Sequence, residues 1–351
     1  MDISFGYFLR QVGSNPVLLV TVLLTTGVIL VNGWTDAPNA IATCVTTRCM
    51  RADPAIVMAA VCNFLGILLM TMFSPKVAYT IRSMVDFGEN REALIALCAA
   101  MIAIVTWATA AWKFGIPTSE SHALIAGLSG SALAISGGLD GINWDAWMKV
   151  VWGLLLTTMI SFGLGYVVAK SVQTIFAASD RRKSNSAFRK AQIFSSAMAA
   201  FMHGAQDGQK FMAVFLFGIA LSQNQDVTSF DITQCWWLLV FCALVMGLGT
   251  SMGGKKIIKS VGRDMVALKP YQGFSADIVS SLGLLLSSIF GLPVSTTHTK
   301  TVAIMGVGVA KRASSVHKGV VLEMLMAWLF TFPGCGLIAY LMTLLFTKVF
   351  A

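Results

Sequence analysis

The chain reads as an all-α polytopic membrane protein: two homologous repeats with broken helices and re-entrant helical hairpins, in roughly ten to twelve membrane segments. Three observations predict this class. The composition is 56% hydrophobic and 12% charged, whereas a soluble domain carries about 25% charged residues. Apolar runs long enough to span a bilayer, roughly 17–25 residues, recur along the whole length, at 16–32, 54–73, 92–112, 146–168, 191–221, 233–252, 274–290 and 319–347. Finally, two kinds of polar sequence interrupt these runs in the same order in each half: VNGWTDAPNAIATCV (31–45) then FGIPTSESHALIAGLSGSA (114–132), and FMHGAQDGQKFMAVF (201–215) then FGLPVSTTHTKTVAIMGVG (290–308). Strands are excluded, because an open strand leaves backbone groups unsatisfied in lipid and the runs are too uniformly apolar for barrel strands.

The duplication is regular. Gly33 pairs with Gly204 and Asp36 with Asp207 at an offset of 171, while Pro117, Ser119 and His122 pair with Pro293, Ser295 and His298 at 176. Polar groups are costly in lipid, so matched interruptions are built features, and their pattern is that of a secondary transporter with its site between repeats. The halves are 1–169 and 191–351, joined by a basic cytoplasmic linker at 170–190. An inverted relation is expected because it supplies alternating access by symmetry; parallel repeats are the alternative, and the number of crossings in each half decides. At the N-terminus the run from Pro16 to Val31 flows into the first polar motif with no small-residue cleavage site, which predicts a first membrane helix rather than a cleaved signal.

The net charge of +9 is placed for topology, not for nucleic acid. Lys170, Arg181, Arg182, Lys183, Arg189 and Lys190 face only Asp180, and Lys255, Lys256, Lys259, Arg263 and Lys269 face only Asp264. The 139–145 loop carries Asp140 and Asp145, and the 222–232 loop Asp226 and Asp231, without a base. The positive-inside bias puts the basic loops in the cytoplasm and the acidic loops outside, in a multi-pass cell-membrane protein. The seven cysteines (44, 49, 62, 98, 235, 242 and 335) contain no C-x-x-C pair; they read as small packing residues rather than a disulfide framework or zinc site.

The PTSESH and PVSTTH motifs predict helices that start inside the membrane. Proline suits a first helical turn, neighbouring hydroxyls cap or turn outward, and the small residues that follow admit close helix contact. Unpaired N–H groups at such a start make an anion site without a buried arginine. Two of them facing each other would hold a small multivalent oxyanion, with hydroxyls from Ser119, Ser121, Ser295, Thr296 and Thr297. Asp36 and Asp207 each sit between apolar runs, where an ionised carboxylate costs at least about 2.5–3.5 kcal/mol unless paired or protonated. Asn32, Thr35, Asn39, Thr43, Gln206 and Gln209 nearby are hard oxygen donors suited to Na⁺ or to a proton relay. Gly33, Pro38, Gly204 and Gly208 would permit unwound helices in both motifs. Lys210, three residues after Asp207 and on the same helix face, either neutralises that aspartate or touches an anionic substrate. Glu120 and Lys300 are expected to snorkel or to line a vestibule. His122 and His298 are read as bridges between helices, or as groups that meet the substrate.

At these residues the sequence resembles the inorganic phosphate transporter (PiT) family, with its duplicated G-A-N-D-V-A-N-type signature and P-x-S-x-[ST]-H hairpins. The first signature here is Gly33-Trp34-Thr35-Asp36-Ala37-Pro38-Asn39 and the second Gly204-Ala205-Gln206-Asp207-Gly208-Gln209-Lys210, a Q-K ending similar to that of shorter prokaryotic members. Thr35 and Gln206 stand where the signature has Asn, and Glu120 interrupts the first hairpin motif. The resemblance implies uptake of inorganic phosphate by symport with Na⁺ or H⁺, no cofactor, and a possible homodimer. It implies phosphate contacts from Ser119, Ser121, Ser295, Thr296, Thr297, Asp36, Asp207, Gln206 and Lys210, and coupling-ion ligands from Asn32, Asp36, Asn39, Thr43, Asp207 and Gln209. Two readings compete. A permease for another oxyanion such as sulfate would use the same anion physics. An intramembrane hydrolase built on Ser119–His122 or Ser295–His298 lacks a G-x-S-x-G elbow and would need one site rather than two copies.

Overall fold

The computed structural model describes residues 5–88, 91–114, 118–223, 235–252, 255–259, 261 and 265–350. Pro117, Asp226, Asp231, Arg263 and Asp264 lie outside them. Fourteen α-helices follow one another among the described residues. The first half holds α1 (Phe5–Ser14), α2 (Pro16–Thr35), α3 (Pro38–Thr46), α4 (Ala52–Phe73), α5 (Lys76–Arg82), α6 (Arg91–Phe114), α7 (Glu120–Ser136) and α8 (Trp144–Ile175). The second holds α9 (Arg181–Ser222), α10 (Trp236–Met252), α11 (Lys255–Lys259), α12 (Pro270–Phe290), α13 (Thr296–Lys311) and α14 (Lys318–Phe350).

Six of these segments are long and apolar enough to cross a membrane: Pro16–Thr46, Ala52–Phe73, Glu92–Phe114, Trp144–Ile175, Pro270–Phe290 and Lys318–Phe350. On two of them, α8 and α14, Leu155, Met159, Leu325, Leu329 and Leu344 are exposed, large apolar side chains that suit contact with lipid. The chain is a multi-pass membrane protein.

Helix starts follow from local chemistry. Asn15 caps α2 by accepting from the N–H groups of Val17 and Leu18 at 3.0 and 3.1 Å, with Pro16 in the first turn. Asn143 caps α8 in the same way. Ser119 and Ser295 cap α7 and α13, each accepting from the N–H three residues on, at His122 and His298. The turn before α13 is made by Gly291, in the left-handed region at φ 69°, where a side chain would be strained.

One expectation is corrected. The first aspartate motif breaks its helix at 36–37, between α2 and α3, but the second does not: α9 runs unbroken from Arg181 to Ser222. The difference is Pro38, which has no N–H to give the ladder; Gly204 and Gly208 only weaken a helix, by about 1 kcal/mol each. They serve close packing instead. A Cβ on Gly204 would lie 2.3 Å from the Asn63 carbonyl oxygen of α4, and one on its counterpart Gly33 would lie 2.4 Å from that of Met246 in α10. Between the halves, the 170–190 linker is largely helical, its first residues finishing α8 and its last starting α9, with the chain turning at 176–180.

The packing repeats itself with the halves exchanged. α7 packs on α6 and on α14, while α13 packs on α12 and on α8; α4 packs on α9, while α10 packs on α2. Loops match too: Val85 bridges Ile142 beside α7, and Val266 bridges Val316 beside α13. The two basic stretches meet in one cleft of about 950 Å³ lined by Arg181, Arg182 and Lys269, so they share one side of the molecule.

Candidate functional site

The starts of α7 and α13 converge at the centre of the bundle. The rings of His122 and His298, one turn into each helix, meet edge to face with centroids 4.3 Å apart. His122 also packs on Phe332 and His298 on Trp328, which makes the pair a structural contact between the halves. Around this point lie Asp36, Glu120, Asp207 and Lys210, each at most 2% exposed.

Asp207 is fully bonded. Its Oδ1 faces Lys210 Nζ at 2.7 Å and accepts from Ser121 Oγ at 3.3 Å. Its Oδ2 accepts from Asn32 Nδ2 at 3.1 Å and Thr296 Oγ1 at 3.4 Å. Lys210 Nζ donates further to Ser121 Oγ and to the Val294 carbonyl, both at 2.6 Å. His203 holds Asn63 Oδ1 at 3.1 Å and has Nε2 3.4 Å from Asp207 Oδ2.

Asp36 is half bonded. Its Oδ1 accepts from Asn39 Nδ2 at 2.7 Å and from Thr297 Oγ1, to which Asn39 also donates at 2.8 Å. Its Oδ2, both Glu120 carboxyl oxygens, Asn32 Oδ1 and Asn39 Oδ1 are buried without a hydrogen-bond partner. Unpaired acceptors in a dry interior are costly, and these are hard oxygens of the kind that a cation or a proton-bearing ligand satisfies. Asp36, His203 and Asp207 each offer a ligand atom, all within 4.8 Å of one another.

Of the residues picked from the sequence, Asn32, Asp36, Asn39, Ser121, Asp207, Lys210, Thr296 and Thr297 come together. Ser119 and Ser295 stand at the helix starts with their oxygens accepting the capping bonds, and their hydroxyl protons remain to be given. Gln206 donates to Ser288 Oγ at 3.0 Å and Gln209 to the Ser74 carbonyl at 2.9 Å, bracing α9 against α12 and the α4–α5 turn. Thr43 lies elsewhere, donating at 2.7 Å to Asp277.

Asp277 is a buried polar centre that the motifs do not reveal. It accepts from Ser195 and Ser196 of α9 and pairs with Lys300 Nζ, which also donates to the Ala40 carbonyl at 3.1 Å. Lys300 is 3% exposed, so it neither snorkels nor faces water. A lone aspartate inside an apolar run is the sequence signal that points to this cluster.

The site is closed. The cavity beside it, lined by Asn39, His203, Thr296 and Lys300 among others, holds about 10 Å³, about the least that admits one water. Among the described residues neither Ser119 nor Ser295 hydrogen-bonds an imidazole as a nucleophile would its base; the rings of His122 and His298 pack on each other, on Phe332 and on Trp328.

These features match known proteins. Residues 32–339 match the model of the Phosphate transporter family. A Bacillus subtilis (strain 168) protein named "Probable low-affinity inorganic phosphate transporter" is 36% identical over 92% of this chain and 97% of its own length. A Rhizobium meliloti (strain 1021) protein of the same name is 34% identical over 93% and 95%. A solved structure, "The sodium-dependent phosphate transporter", superposes with a TM-score of 0.80 over 96% of this chain and all of its own, at 21% identity, and so shares the fold. The chain belongs to the Phosphate transporter family.

Proposed function

We propose that the protein is a secondary active transporter that takes up inorganic phosphate together with a cation, with both bound between the two repeats. The observation that carries this reading is the junction of two capped helix starts with five unpartnered buried acceptor oxygens. The helix starts and the hydroxyls of Ser121, Thr296 and Thr297 supply donors for phosphate. Ser121 and Thr296 hold Asp207 at 3.3 and 3.4 Å, long bonds that are easily exchanged for a stronger acceptor. Asp36, Asn39, Asn32 and Glu120 supply the cation's oxygens. Asn32 Oδ1 and Asn39 Oδ1 ligate metal ions but relay no proton, which favours Na⁺ over H⁺, in keeping with the sodium dependence for which the structural neighbour is named. Phosphate, unlike sulfate, brings a proton at neutral pH that the carboxylates accept.

The closed site supports alternating access rather than a pore, and charge placement supports inverted repeats. α7 and α13 are equivalent helices, yet the loop after α7 carries Asp140 and Asp145, whereas the segment after α13 carries Lys311, Arg312 and Lys318. Under the positive-inside bias they end on opposite sides. Each half then makes three crossings (α2–α3, α4 and α8; α9, α10 and α14) and one hairpin (α6–α7; α12–α13), ten embedded segments in all. Three is odd, so the second half is inverted.

Uptake of labelled phosphate into proteoliposomes tests the reading, with Na⁺ and H⁺ gradients imposed separately and sulfate as competitor. Accumulation under the Na⁺ gradient, unaffected by sulfate, is expected. Accumulation under the H⁺ gradient alone would replace the cation; accumulation of sulfate instead would discard the substrate.

A further inference from the structure

The site is sealed by different chemistry on its two sides. Toward the basic end of the bundle, buried polar groups follow one another in layers. The small cavity beside the site joins Asn39, His203 and Thr296 to Ser280 and Lys300. Lys300 pairs with Asp277, to which Thr43, Ser195 and Ser196 also donate. Beyond them the buried Gln192 accepts from Thr47 and Cys49, both at 2.9 Å, and its amide nitrogen has no hydrogen-bond partner among the described residues. Arg189, donating to the Arg48 carbonyl at 2.8 Å, ends the series in the open. This is the end that carries Arg181 and Lys269, which the positive-inside bias places in the cytoplasm.

On the other side the internal offsets put apolar residues at the matching places. Asp277 maps onto Met101, Lys300 onto Leu124 and Thr43 onto Val214, and all three are buried in one hydrophobic cluster. Helix α9 shows the same contrast along its length. Gln192, Ser195, Ser196 and His203 precede Asp207, whereas Phe211 to Leu221, after Lys210, are apolar throughout and buried. The chain thus closes one side with methionine, leucine and valine, so packing alone does not call for an ion pair on the other. A buried ion pair is often no more stabilising than apolar side chains of similar volume. Its groups do take up water readily when helices part, as apolar side chains do not.

We propose that the seam between α3, α9, α12 and α13 is the cytoplasmic route of the site, and that the Asp277–Lys300 pair is the latch that holds it shut. The latch is a structural contact of the closed state and binds neither phosphate nor cation. From α12, Asp277 reaches Thr43 of α3, Ser195 and Ser196 of α9 and Lys300 of α13, and Lys300 fastens to the Ala40 carbonyl at 3.1 Å. One carboxylate therefore ties four helices together. When the seam parts, the hydroxyls of Thr43, Ser195, Ser196 and Ser280 line a wet passage to Gln192. The inference rests on the transport reading, to which it adds the path of release.

The experiment measures labelling of Ser280→Cys by an impermeant thiol reagent, in a background whose own cysteines have been replaced and in membrane vesicles of either orientation. Ser280 lines the cavity and is 1% exposed, so it reacts only when the seam opens. Labelling is expected from the cytoplasmic face alone. It should be roughly tenfold faster when Asp277→Asn and Lys300→Met are added, the lower end of what a close charge pair contributes. Val214→Cys, on the apolar side, should keep its rate in that double variant; an equal rise there would be general loosening and would overturn the latch, as would an unchanged rate at Ser280→Cys in a folded double variant. Absence of cytoplasmic labelling at Ser280→Cys would overturn the route itself, and this arm leaves the pair intact, so it serves where the double variant does not fold. If wild type moves no phosphate but Ser280→Cys labels faster without the pair, the latched route stands and the transport reading falls.

Discussion

At the scale of single residues, the account depends on which buried polar atoms are satisfied. Asp36 has one carboxylate oxygen without a hydrogen-bond partner, and the proposed function gives it to the cation, so Asp36→Asn is expected to abolish coupled uptake while the protein still purifies as a folded species; full accumulation by this variant would remove the cation from that carboxylate. Thr296→Val deletes a hydroxyl from the anion side, one held only by a long bond to Asp207 at 3.4 Å, without touching the cap. It should raise the phosphate Km about tenfold, a hydrogen bond to a charged group being worth about 1.5–3 kcal/mol. The Asp277–Lys300 pair is structural in this view. Lys300→Met alone should lower stability by about 3–5 kcal/mol, measured as thermal unfolding in detergent, and Asp277→Asn added to it should recover much of the loss. Asp36 and Asp207 are legible in the sequence because each is a carboxyl in a duplicated motif. Asp277 is signalled only by being a lone aspartate in an apolar run, and its role is not legible, because it has no copy and its partners arrive from α3, α9 and α13. Thr43 is near Asp36 in sequence, but the turn of α3 carries it to Asp277.

At the scale of elements, the hairpin tips are readable because proline, serine and histidine at fixed spacing are the chemistry of a helix start, and both caps form. Ser295→Ala is expected to cost about 1 kcal/mol through the cap besides any effect on phosphate, which is why Thr296 is the cleaner probe. The helix break is readable only where proline enforces it. In α9 the glycines suggest hinges, whereas tertiary contact uses them for backbone approach to α4. Gly204→Val should therefore separate α4 from α9 and lower the yield of folded protein, while Gly163→Val, with open space around it, should leave the yield near wild type.

At the scale of the molecule, the two repeats and the side on which the basic loops lie are visible in composition and charge. The exchange of hairpins is not, since α7 packs on α14 and α13 on α8 across the whole chain and no local pattern encodes that choice. In a background whose own cysteines have been replaced, an impermeant thiol reagent outside intact cells should label Asp140→Cys and spare Lys318→Cys; labelling of both from one side would refute inverted repeats. The exchange brings a donor-rich pair of helix starts against an acceptor-rich pair of aspartates in one sealed place, and the proposed transport has anion and cation assist each other's binding there. Such coupling is reciprocal, so the most direct test is calorimetric binding of phosphate to the purified protein across a series of Na⁺ concentrations, for wild type and Asp36→Asn. Phosphate affinity should rise with Na⁺ in wild type and be indifferent to it in Asp36→Asn; a wild-type affinity independent of Na⁺, or a dependence that survives the substitution, would contradict a shared site.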